Sequence, residues 1–397
     1  MKKKKNIGND LWLVEGSSKS AIYDLLEDTI IQITKRAGSF LDKIADNNKN
    51  RKEKVEALKR SDDLFNALKS ENCLDRIFKK TSNPAFNYPN YMIWVEITNR
   101  CNQKCLPCYA NSTQKGNSID TESLKNIIYQ ASELKFKQIQ FTGGEPLLYP
   151  NIWNIVEHTR NLQGIPNIEI YTNLTLLKDK DIDLIKKYQV KIATTLMGSC
   201  PEVHDKCTQL KGSFNKFISN IRKIRDAQID FRVGVIKLPE NQNDLPFIEE
   251  LMHKENLISP EESCLTDNVR PVGRGKKYSL FYSNQPNDLY LHINRDFFNM
   301  ACHWNTCWGG ELAITSKGEI LPCVFARKQV IGSIYQKSLK EIINGPSQKY
   351  WCIKPDKINK CKDCEYRYAC LDCRVLSTQH NQNLYNEPIT CNYNPYI

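Results

Sequence analysis

The sequence IWVEITNRCNQKCLPC, residues 93–108, joins an apolar segment to three closely spaced cysteines. Residues 93–98 are mostly apolar and predict a buried strand. The cysteines Cys101, Cys105 and Cys108 therefore lie on a loop at the carboxyl end of that strand. Thiolates spaced this closely suit a cubane iron–sulfur cluster, and three ligands for four irons leave one iron open to a small chelating molecule.

Zinc is the other metal that a cysteine triplet can bind. A tetrahedral zinc site needs a fourth Cys or His ligand nearby, and the sequence has neither residue between positions 109 and 157. The triplet therefore favours iron–sulfur chemistry.

Strand and helix patterns alternate on the carboxyl side of this loop. The candidate strands cover residues 93–98, 138–142, 167–173, 190–197, 230–237 and 266–270. One helix between them begins after Asp120 as N-cap, and its apolar face consists of Leu124, Ile127, Ile128, Ala131 and Leu134. Repeated strand–helix units require a parallel sheet, and six of them favour an α/β fold with a partial (β/α)6 TIM barrel. We expect its ligand at the carboxyl ends of the strands.

The segments on either side of the barrel have different patterns. Residues 11–24 alternate in hydropathy around Gly16-Ser17-Ser18, which predicts a hairpin, and a charged helical region follows. We predict a small N-terminal α+β module at 1–88, the barrel at 89–290, and a third domain at 291–397 that depends on bound metal.

Composition limits the class of protein. The chain has 397 residues, of which 40% are hydrophobic, and a formal net charge of +11. It is long enough to bury a sizeable core. The excess charge is spread widely, which argues against nucleic acid as a partner. Neither end carries a run of about 18 apolar residues or the apolar core of a signal peptide, so we expect a cytoplasmic protein without a membrane partner.

The 16 cysteines are the informative part of the composition. In a reducing compartment so many thiols indicate metal ligands. Beyond the triplet, a second group near the C-terminus comprises Cys302, Cys307, Cys323, Cys361, Cys364, Cys370, Cys373 and Cys391. The scattered remainder, interpreted as structural, is Cys73, Cys200, Cys207, Cys264 and Cys352.

The Cys-x3-Cys-x2-Cys spacing of the triplet resembles the signature of the radical S-adenosylmethionine superfamily. The family usually has an aromatic residue before the last cysteine, whereas this chain has Pro107, followed after the cysteine by Tyr109. The resemblance implies that the open iron binds the amino and carboxylate groups of S-adenosylmethionine. It also implies reductive cleavage of this cofactor to methionine and a 5′-deoxyadenosyl radical.

Further motifs support this resemblance in family order. Gly143, Gly144 and Glu145 lie within Phe141-Thr142-Gly143-Gly144-Glu145-Pro146 and resemble the family's Gly-Gly-Glu motif, in which the backbone approaches the methionine amino group. Without the triplet, a plain Gly-Gly turn would explain this segment. The resemblance also implies contacts with ribose or carboxylate for Asn173, Thr195 and Arg270.

The C-terminal cysteines resemble the SPASM extension of radical enzymes that modify peptides. The pattern consists of Cys307, ten residues, Gly318, four residues, Cys323, then Cys361-x2-Cys364-x5-Cys370-x2-Cys373 and Cys391. Its last internal spacing is usually one residue longer in that family. Together with Cys302, eight thiolates are available for two further clusters. By resemblance, the first set is Cys302, Cys307, Cys323 and Cys373, and the second is Cys361, Cys364, Cys370 and Cys391. The chain would then hold three [4Fe-4S] clusters.

Zinc remains an alternative for this C-terminal segment. Cys361-x2-Cys364 and Cys370-x2-Cys373 have the spacing of zinc knuckles, and His303 is another possible ligand. A zinc-stabilised module that binds RNA is therefore the competing hypothesis from a different functional class.

The resemblance implies an oxidoreductase that removes a hydrogen atom from a ribosomally made precursor peptide and installs a thioether or carbon–carbon crosslink. Peptide epimerisation is an alternative, for which Cys200, Cys207 or Cys264 is a candidate hydrogen-atom donor. Anaerobic sulfatase maturation is another alternative, although Val324 stands where that branch has an Asp after the cysteine. No catalytic acid or base is evident.

The N-terminal segment also resembles the opening of peptide maturases, through Leu13-Val14-Glu15-Gly16-Ser17 and Ile22-Tyr23-Asp24. A hairpin-and-helix module of this kind can hold a leader peptide by adding a strand to its sheet. The expected partners are thus a precursor peptide and a reductant of the flavodoxin or ferredoxin type.

Overall fold

The computed structural model describes residues 3–79, 90–264, 266–278, 291–378 and 383–397. Within these ranges, the strands are β1 Lys4–Gly8, β2 Leu11–Glu15, β3 Lys19–Asp24, β4 Thr29–Thr34, β5 Met92–Thr98, β6 Gln138–Gly143, β7 Asn167–Tyr171, β8 Val190–Leu196, β9 Phe231–Lys237, β10 Thr266–Asn268, β11 Glu311–Ile314, β12 Glu319–Leu321 and β13 Gly332–Ser333. The α-helices are α1 Lys35–Asp46, α2 Arg51–Leu58, α3 Asp62–Ser70, α4 Thr121–Glu133, α5 Ile152–Asn161, α6 Asp179–Lys187, α7 Pro201–Thr208, α8 Ser213–Asp226, α9 Leu245–Lys254, α10 Arg295–His303, α11 Leu339–Asn344, α12 Pro346–Trp351 and α13 Arg374–Ser377. None of the helices in these ranges is long and apolar enough to cross a membrane.

The described residues form two compact units. The described part of the first unit covers 3–79, 291–309, 349–378 and 383–397, and that of the second covers 90–264, 266–278 and 310–348. The boundary predicted at 88/89 lies outside the described residues and the one at 290/291 lies at their edge, so the division into three domains stays a prediction.

The second unit contains a nine-stranded sheet in the order β10-β9-β8-β7-β6-β5-β11-β12-β13. All neighbouring pairs from β5 to β10 are parallel. This confirms the predicted α/β fold with a partial six-stranded barrel. Strand β7 ends at Tyr171, two residues before the predicted end, because the amide of Asn173 bonds to the Glu145 side chain outside the sheet.

Three strands that the sequence did not predict extend this sheet. Strand β11 pairs in parallel with β5, and β12 and β13 follow in antiparallel register. The sequence does not reveal them, because these strands are too short to establish a period of two.

Side chains alternate across the parallel strands. On β5, Ile93, Val95 and Ile97 are fully buried on one side, while Glu96 and Thr98 point to the other. Apolar helix faces cover the first side: α4, for example, is capped by Asp120, whose carboxylate accepts from the Ser123 amide at 2.9 Å, and buries its predicted apolar residues up to Ala131. Each buried leucine or isoleucine side chain of this kind contributes about 2 kcal/mol of hydrophobic free energy.

The first unit contains an antiparallel sheet in the order β1-β2-β3-β4. The predicted hairpin is formed by β2 and β3, with Gly16 donating to the Lys19 carbonyl at the turn. One face of the sheet packs on helices α1–α3, in a core that includes Leu13, Ile22 and Leu41. The other face packs on residues 298–302 and 368–369, which belong to the part of the first unit that carries the C-terminal cysteines and is called the cysteine-rich segment below. The sheet is therefore covered on both sides.

Candidate functional site

The cysteine triplet lies on the loop after β5, as predicted. Backbone hydrogen bonds hold this loop in place: Cys101 donates to Thr113 O at 2.8 Å, and Leu106 donates to Cys207 O at 2.9 Å. Its position is therefore determined by the second unit and does not depend on a metal alone.

Arg274 is a further residue that holds the triplet loop. Its Nε donates to Cys105 O at 2.8 Å, its Nη1 donates to Ser112 O at 2.9 Å, and its own amide donates to Cys108 O at 2.9 Å. The sequence motif points to Arg270 in the same basic segment and does not indicate the role of Arg274. Nothing local distinguishes the two arginines, because the difference is a contact with a loop far away in sequence.

Two thiols of the triplet, those of Cys101 and Cys105, are held in the protonated state. Burial raises the pKa of Cys101 to about 12, and burial also raises the pKa of Cys105. The charge of Arg274 opposes this effect at both residues. A metal that replaces the proton relieves the cost of burying a thiolate, so this donor set fits an iron–sulfur cluster.

The two glycines of Gly143-Gly144-Glu145 lie against the backbone that leads into the triplet. A Cβ on Gly143 would lie 2.1 Å from Thr98 O, and a Cβ on Gly144 would lie 2.1 Å from Arg100 O. Gly143 also has a φ of +129°, a region that favours glycine. Both positions therefore require glycine for close backbone approach.

Glu145 is fully buried, and its carboxylate accepts hydrogen bonds from three protein groups. Its Oε1 accepts from Thr172 Oγ1 at 2.7 Å and from the Leu147 amide at 3.1 Å, and its Oε2 accepts from the Asn173 amide at 2.8 Å. Burial raises the pKa of Glu145, and these hydrogen bonds oppose that shift. Glu145 thus positions the loop after β7.

Asn173 links this loop to the triplet. Its Nδ2 lies 2.9 Å from Asn102 Oδ1 and 4.0 Å from Cys101 Sγ, and its Oδ1 accepts from Thr175 Oγ1 at 2.6 Å. Asn102 Nδ2 in turn donates to Thr175 Oγ1 at 2.8 Å. The structure therefore brings Asn173 together with the triplet and the Gly-Gly-Glu segment.

Thr195 and Arg270, the other predicted cofactor contacts, have different neighbours. Thr195 Oγ1 lies 2.5 Å from Tyr171 Oη. Arg270 Nη1 donates to Asp267 Oδ1 at 2.8 Å and to Asn268 O at 2.7 Å. Their contact with a cofactor stays a prediction.

A ladder of aromatic and cationic side chains, which the sequence did not reveal, lies beside the triplet. The Arg270 guanidinium is 5.7 Å from the Phe325 ring, Phe325 meets Tyr109 edge-on at 5.2 Å, and the Arg327 guanidinium is 5.0 Å from the Tyr109 ring. Arg327 also forms a bidentate ion pair with the buried Glu96 on β5. The segment 324–327 is thereby attached to the loop that follows the triplet.

The first unit contains a cavity of about 110 Å³. All four cysteines of the second predicted C-terminal set line it, namely Cys361, Cys364, Cys370 and Cys391. The cavity is several times larger than the space that one bound water needs. A multi-atom group therefore fits among these four thiols.

Three thiols of this cavity, those of Cys361, Cys364 and Cys370, are also held in the protonated state. Burial raises the pKa of Cys364 and of Cys370 to about 12 and places the pKa of Cys361 well above its usual value. The negative charge of Asp372 reinforces the shift at Cys361 and Cys370. As at the triplet, the donor set fits an iron–sulfur cluster that replaces the protons.

The first predicted C-terminal set is divided between the units. Cys302, Cys307 and Cys373 belong to the first unit and Cys323 belongs to the second. Burial raises the pKa of Cys302, and the positive charge of Lys4 opposes this shift. This ligand set stays a prediction.

The remaining candidates have structural contacts. His303 Nδ1 lies 2.7 Å from Asn299 O within its own helix, and Cys264 Sγ lies 3.5 Å from the sulfur of Met252. Cys207 is fully buried, whereas Cys200 is partly exposed before α7. Among the described residues, no three Cys, His, Asp or Glu side chains gather closely enough to hold a single metal ion.

Comparison with known proteins identifies two domains. The model of the Radical SAM superfamily matches residues 95–252, and the model of SPASM, an iron–sulfur cluster-binding domain, matches residues 302–365. Among curated proteins, the AdoMet-dependent heme synthase of Methanosarcina barkeri (strain Fusaro / DSM 804) is 22% identical over 78% of this chain and 98% of its own length. The antilisterial bacteriocin subtilosin biosynthesis protein AlbA of Bacillus subtilis (strain 168) is 23% identical over 75% of this chain and 70% of its own length.

Solved structures share the fold. The structure of anSMEcpe with bound AdoMet superimposes with a TM-score of 0.58 at 15% identity, over 76% of this chain and 94% of that one. Streptococcus suis SuiB bound to precursor peptide SuiA has a TM-score of 0.58 at 14% identity, over 98% of this chain and 100% of that one. The second match includes the N-terminal sheet as well as the barrel and the cysteine-rich segment.

Proposed function

We propose that this chain, which contains a radical S-adenosylmethionine domain followed by a SPASM iron–sulfur domain, is a peptide maturase. It removes a hydrogen atom from a ribosomally made precursor peptide and installs a thioether or carbon–carbon crosslink. The observation that supports the proposal most directly is the cavity in which Cys361, Cys364, Cys370 and Cys391 meet, because these four thiols can hold a second cluster in addition to the one at the triplet.

Three sets of cysteines would hold the metal groups. Cys101, Cys105 and Cys108 hold the cluster that binds S-adenosylmethionine, and the four cavity cysteines hold an auxiliary cluster. The third set is Cys302, Cys307, Cys323 and Cys373. When bound, the first cluster and S-adenosylmethionine would supply a 5′-deoxyadenosyl radical that abstracts one hydrogen atom, and an auxiliary cluster would accept the second electron of the oxidation as a proton is lost.

The residues around the triplet bind and orient the cofactor in this proposal. Gly143 and Gly144 let the backbone approach it closely, and Asn173 is held beside Cys101 by Asn102 and by the Glu145 carboxylate. Thr195 and Arg270 are proposed to contact ribose or carboxylate. The ladder from Arg270 to Glu96 closes one side of the site with apolar rings and a buried ion pair, which helps to exclude water.

Peptide substrates are supported by what is known of similar proteins. AlbA is a bacteriocin biosynthesis protein, SuiB is solved with its precursor peptide, and anSMEcpe is solved with the Cp18Cys peptide. Strand β4 lies at an edge of the N-terminal sheet, where a leader peptide can add a strand. A leader held there raises the effective concentration of the core peptide.

Sulfatase maturation is disfavoured by the surroundings of Val324. Val324 is buried in an apolar cluster with Ala313 and Leu321, at the position where the resemblance would place an Asp. The site therefore offers no carboxylate there.

The test is an anaerobic incubation of the iron-loaded protein with dithionite, S-adenosylmethionine and candidate precursor peptides, followed by mass spectrometry. We expect 5′-deoxyadenosine and a peptide that has lost two hydrogen atoms. A peptide of unchanged mass that gains deuterium in D2O would indicate epimerisation and contradict crosslinking. Colourless, zinc-containing protein without deoxyadenosine formation would overturn the whole proposal in favour of the zinc module.

A further inference from the structure

The N-terminal sheet packs directly against the segment that lines the cysteine cavity. The Phe298 ring contacts three aromatic rings. Its centroid lies 5.3 Å from that of Tyr23 on β3, 5.2 Å from that of Trp12 on β2 and 5.5 Å from that of Tyr368. Lys4 on β1 lies 4.9 Å above the Tyr368 ring. This face of the sheet is therefore part of the core of the cysteine-rich segment.

Hydrogen bonds tie the turn of the β2–β3 hairpin to the same segment. Ser17 donates its amide to Asp363 O at 2.8 Å, and Ser18 donates its amide to Pro395 O at 3.1 Å. Gly16 leaves no room for a side chain, because a Cβ there would lie 2.6 Å from Glu365 Oε2. The hairpin turn is thus fitted between the two chain segments that carry Cys364 and Cys391.

Arg367 connects β2 with a cavity cysteine. Its guanidinium is fully buried, and its Nη1 donates to Glu15 O at 2.8 Å and to Cys364 O at 2.7 Å. Its Nε donates to Asp356 Oδ1 at 3.2 Å. Arg367 also lines the cavity. One side chain therefore holds the end of a strand, the backbone of Cys364 and the cavity wall in a fixed arrangement.

Glu365 makes a second connection, to the edge strand β4. It is fully buried, and its Oε1 accepts from Gln32 Nε2 at 2.9 Å and from the Tyr393 hydroxyl. Tyr393 lines the cavity, and its carbonyl oxygen lies 3.9 Å from Cys391 Sγ. The Glu365 carboxylate therefore connects β4 to Cys391 through Tyr393, and the backbone of Glu365 directly follows Cys364.

We propose that Arg367 and Glu365 are positioning residues that couple the N-terminal sheet to the cysteine cavity. A cluster in the cavity stabilises the sheet, and a peptide strand that adds to β4 alters the environment of the cluster. The two effects are reciprocal, because coupling between two binding sites acts equally in both directions. The proposal rests on the cluster that the proposed function places in this cavity, and it does not depend on the bond formed in the peptide.

The experiment is hydrogen–deuterium exchange on the full chain, with and without anaerobic loading of iron and sulfide. Loading should slow exchange in residues 11–34 by roughly tenfold, a typical size for coupling between sites. Gln32→Leu and Glu365→Ala should retain the iron but lose most of this protection. Glu365→Gln keeps a carbonyl oxygen that can accept from Gln32 and Tyr393, so this variant should show the same protection from exchange as the wild type. Gln336→Leu, at an exposed position of the second unit, is the control.

Arg367 is tested separately because its burial makes folding of a variant uncertain. Arg367→Lys should broaden or shift the electron paramagnetic resonance signal of the reduced cavity cluster, whereas Gln336→Leu should leave that signal unchanged. If iron loads fully while exchange in residues 11–34 stays the same, the proposed coupling is wrong and the cluster assignment stands.

The premise has a test of its own. If the double variant Cys361→Ser/Cys364→Ser keeps its full iron content, the cavity holds no cluster, and the premise of the proposal is wrong.

Discussion

Glu145 accepts a hydrogen bond from the backbone amide of Asn173, with 2.8 Å between the nitrogen and Oε2. The carboxylate also accepts from Thr172 and Leu147, so the conformation of the loop after β7 depends on it. This loop carries the side chain that reaches Asn102 and Cys101 on the triplet loop. The Gly-Gly-Glu segment therefore orders the site through its acid as well as through its glycines.

Replacing Glu145 with Gln should weaken S-adenosylmethionine binding by roughly tenfold while the iron content stays unchanged. The amide nitrogen of Gln cannot accept a hydrogen bond, so one buried donor loses its partner at a cost of about 1–3 kcal/mol. Equilibrium dialysis of the cofactor under anaerobic conditions measures the effect. Glu250→Gln, on the exposed side of α9, is the matched control. Equal affinity in the two variants would contradict the role of Glu145.

Arg327→Met should destabilise the protein by about 3–5 kcal/mol, because it leaves the Glu96 carboxylate buried without its partner. Burial raises the pKa of Glu96, and the Arg327 charge opposes this shift. Adding Glu96→Gln should recover most of the loss, since no buried charge then remains. Denaturant unfolding of the iron-loaded variants compares them. A double variant as unstable as Arg327→Met alone would show that the ion pair is not the cause.

Local patterns predicted the strands and helices of the barrel well. Alternation and apolar runs located β5 to β10, and Asp120 was recognised as the N-cap of α4 because capping is a local interaction. The triplet was located through its spacing and through the strand that precedes it. These features depend on neighbours in the sequence, so one sequence suffices to find them.

Contacts between distant segments were not predictable in the same way. Arg327 and Glu96 are 231 positions apart, and neither position has a distinctive neighbourhood. Strand β11 joins the barrel sheet beside β5 through four residues, which is too short for a clear period. Nothing in the sequence indicates that Tyr23 and Val14 of the N-terminal sheet pack on the cysteine-rich segment. A sequence pattern shows that a face is apolar but does not show which segment covers it.

Stability should depend on pH through His204. Burial lowers the pKa of His204 to about 4, and its Nδ1 accepts from the Met197 amide at 3.2 Å. Below its usual pKa of 6.5, the unfolded chain takes up a proton that the folded chain does not, so stability falls as the pH falls from about 6.5 to about 4. The full effect is about 3 kcal/mol.

His204→Asn offers an acceptor to Met197 without titrating, and it should flatten this part of the stability profile. Melting temperatures of the wild type and the variant between roughly pH 5 and pH 8 provide the comparison, since this range contains the usual histidine pKa. Parallel profiles would show that His204 is not the group responsible.

Replacing Cys370 and Cys391 together with Ser should remove about four irons, because both line the same cavity. Formation of 5′-deoxyadenosine should persist, since the triplet has its own ligands, while the crosslinked peptide should decrease. Iron analysis and mass spectrometry measure the two effects, with Cys264→Ser as a control cysteine outside both sites. Full iron content in the double variant would contradict the assignment of the cavity.

The central claim is that Cys101, Cys105 and Cys108 hold the cluster at which S-adenosylmethionine is cleaved. The most direct measurement is 5′-deoxyadenosine formation by Cys101→Ala/Cys105→Ala/Cys108→Ala compared with the wild type, after anaerobic iron loading and reduction with dithionite. We predict that the triple variant forms none, while its iron content falls from about 12 to about 8 per chain because the C-terminal clusters keep their own ligands. Undiminished 5′-deoxyadenosine formation by the triple variant would contradict the account.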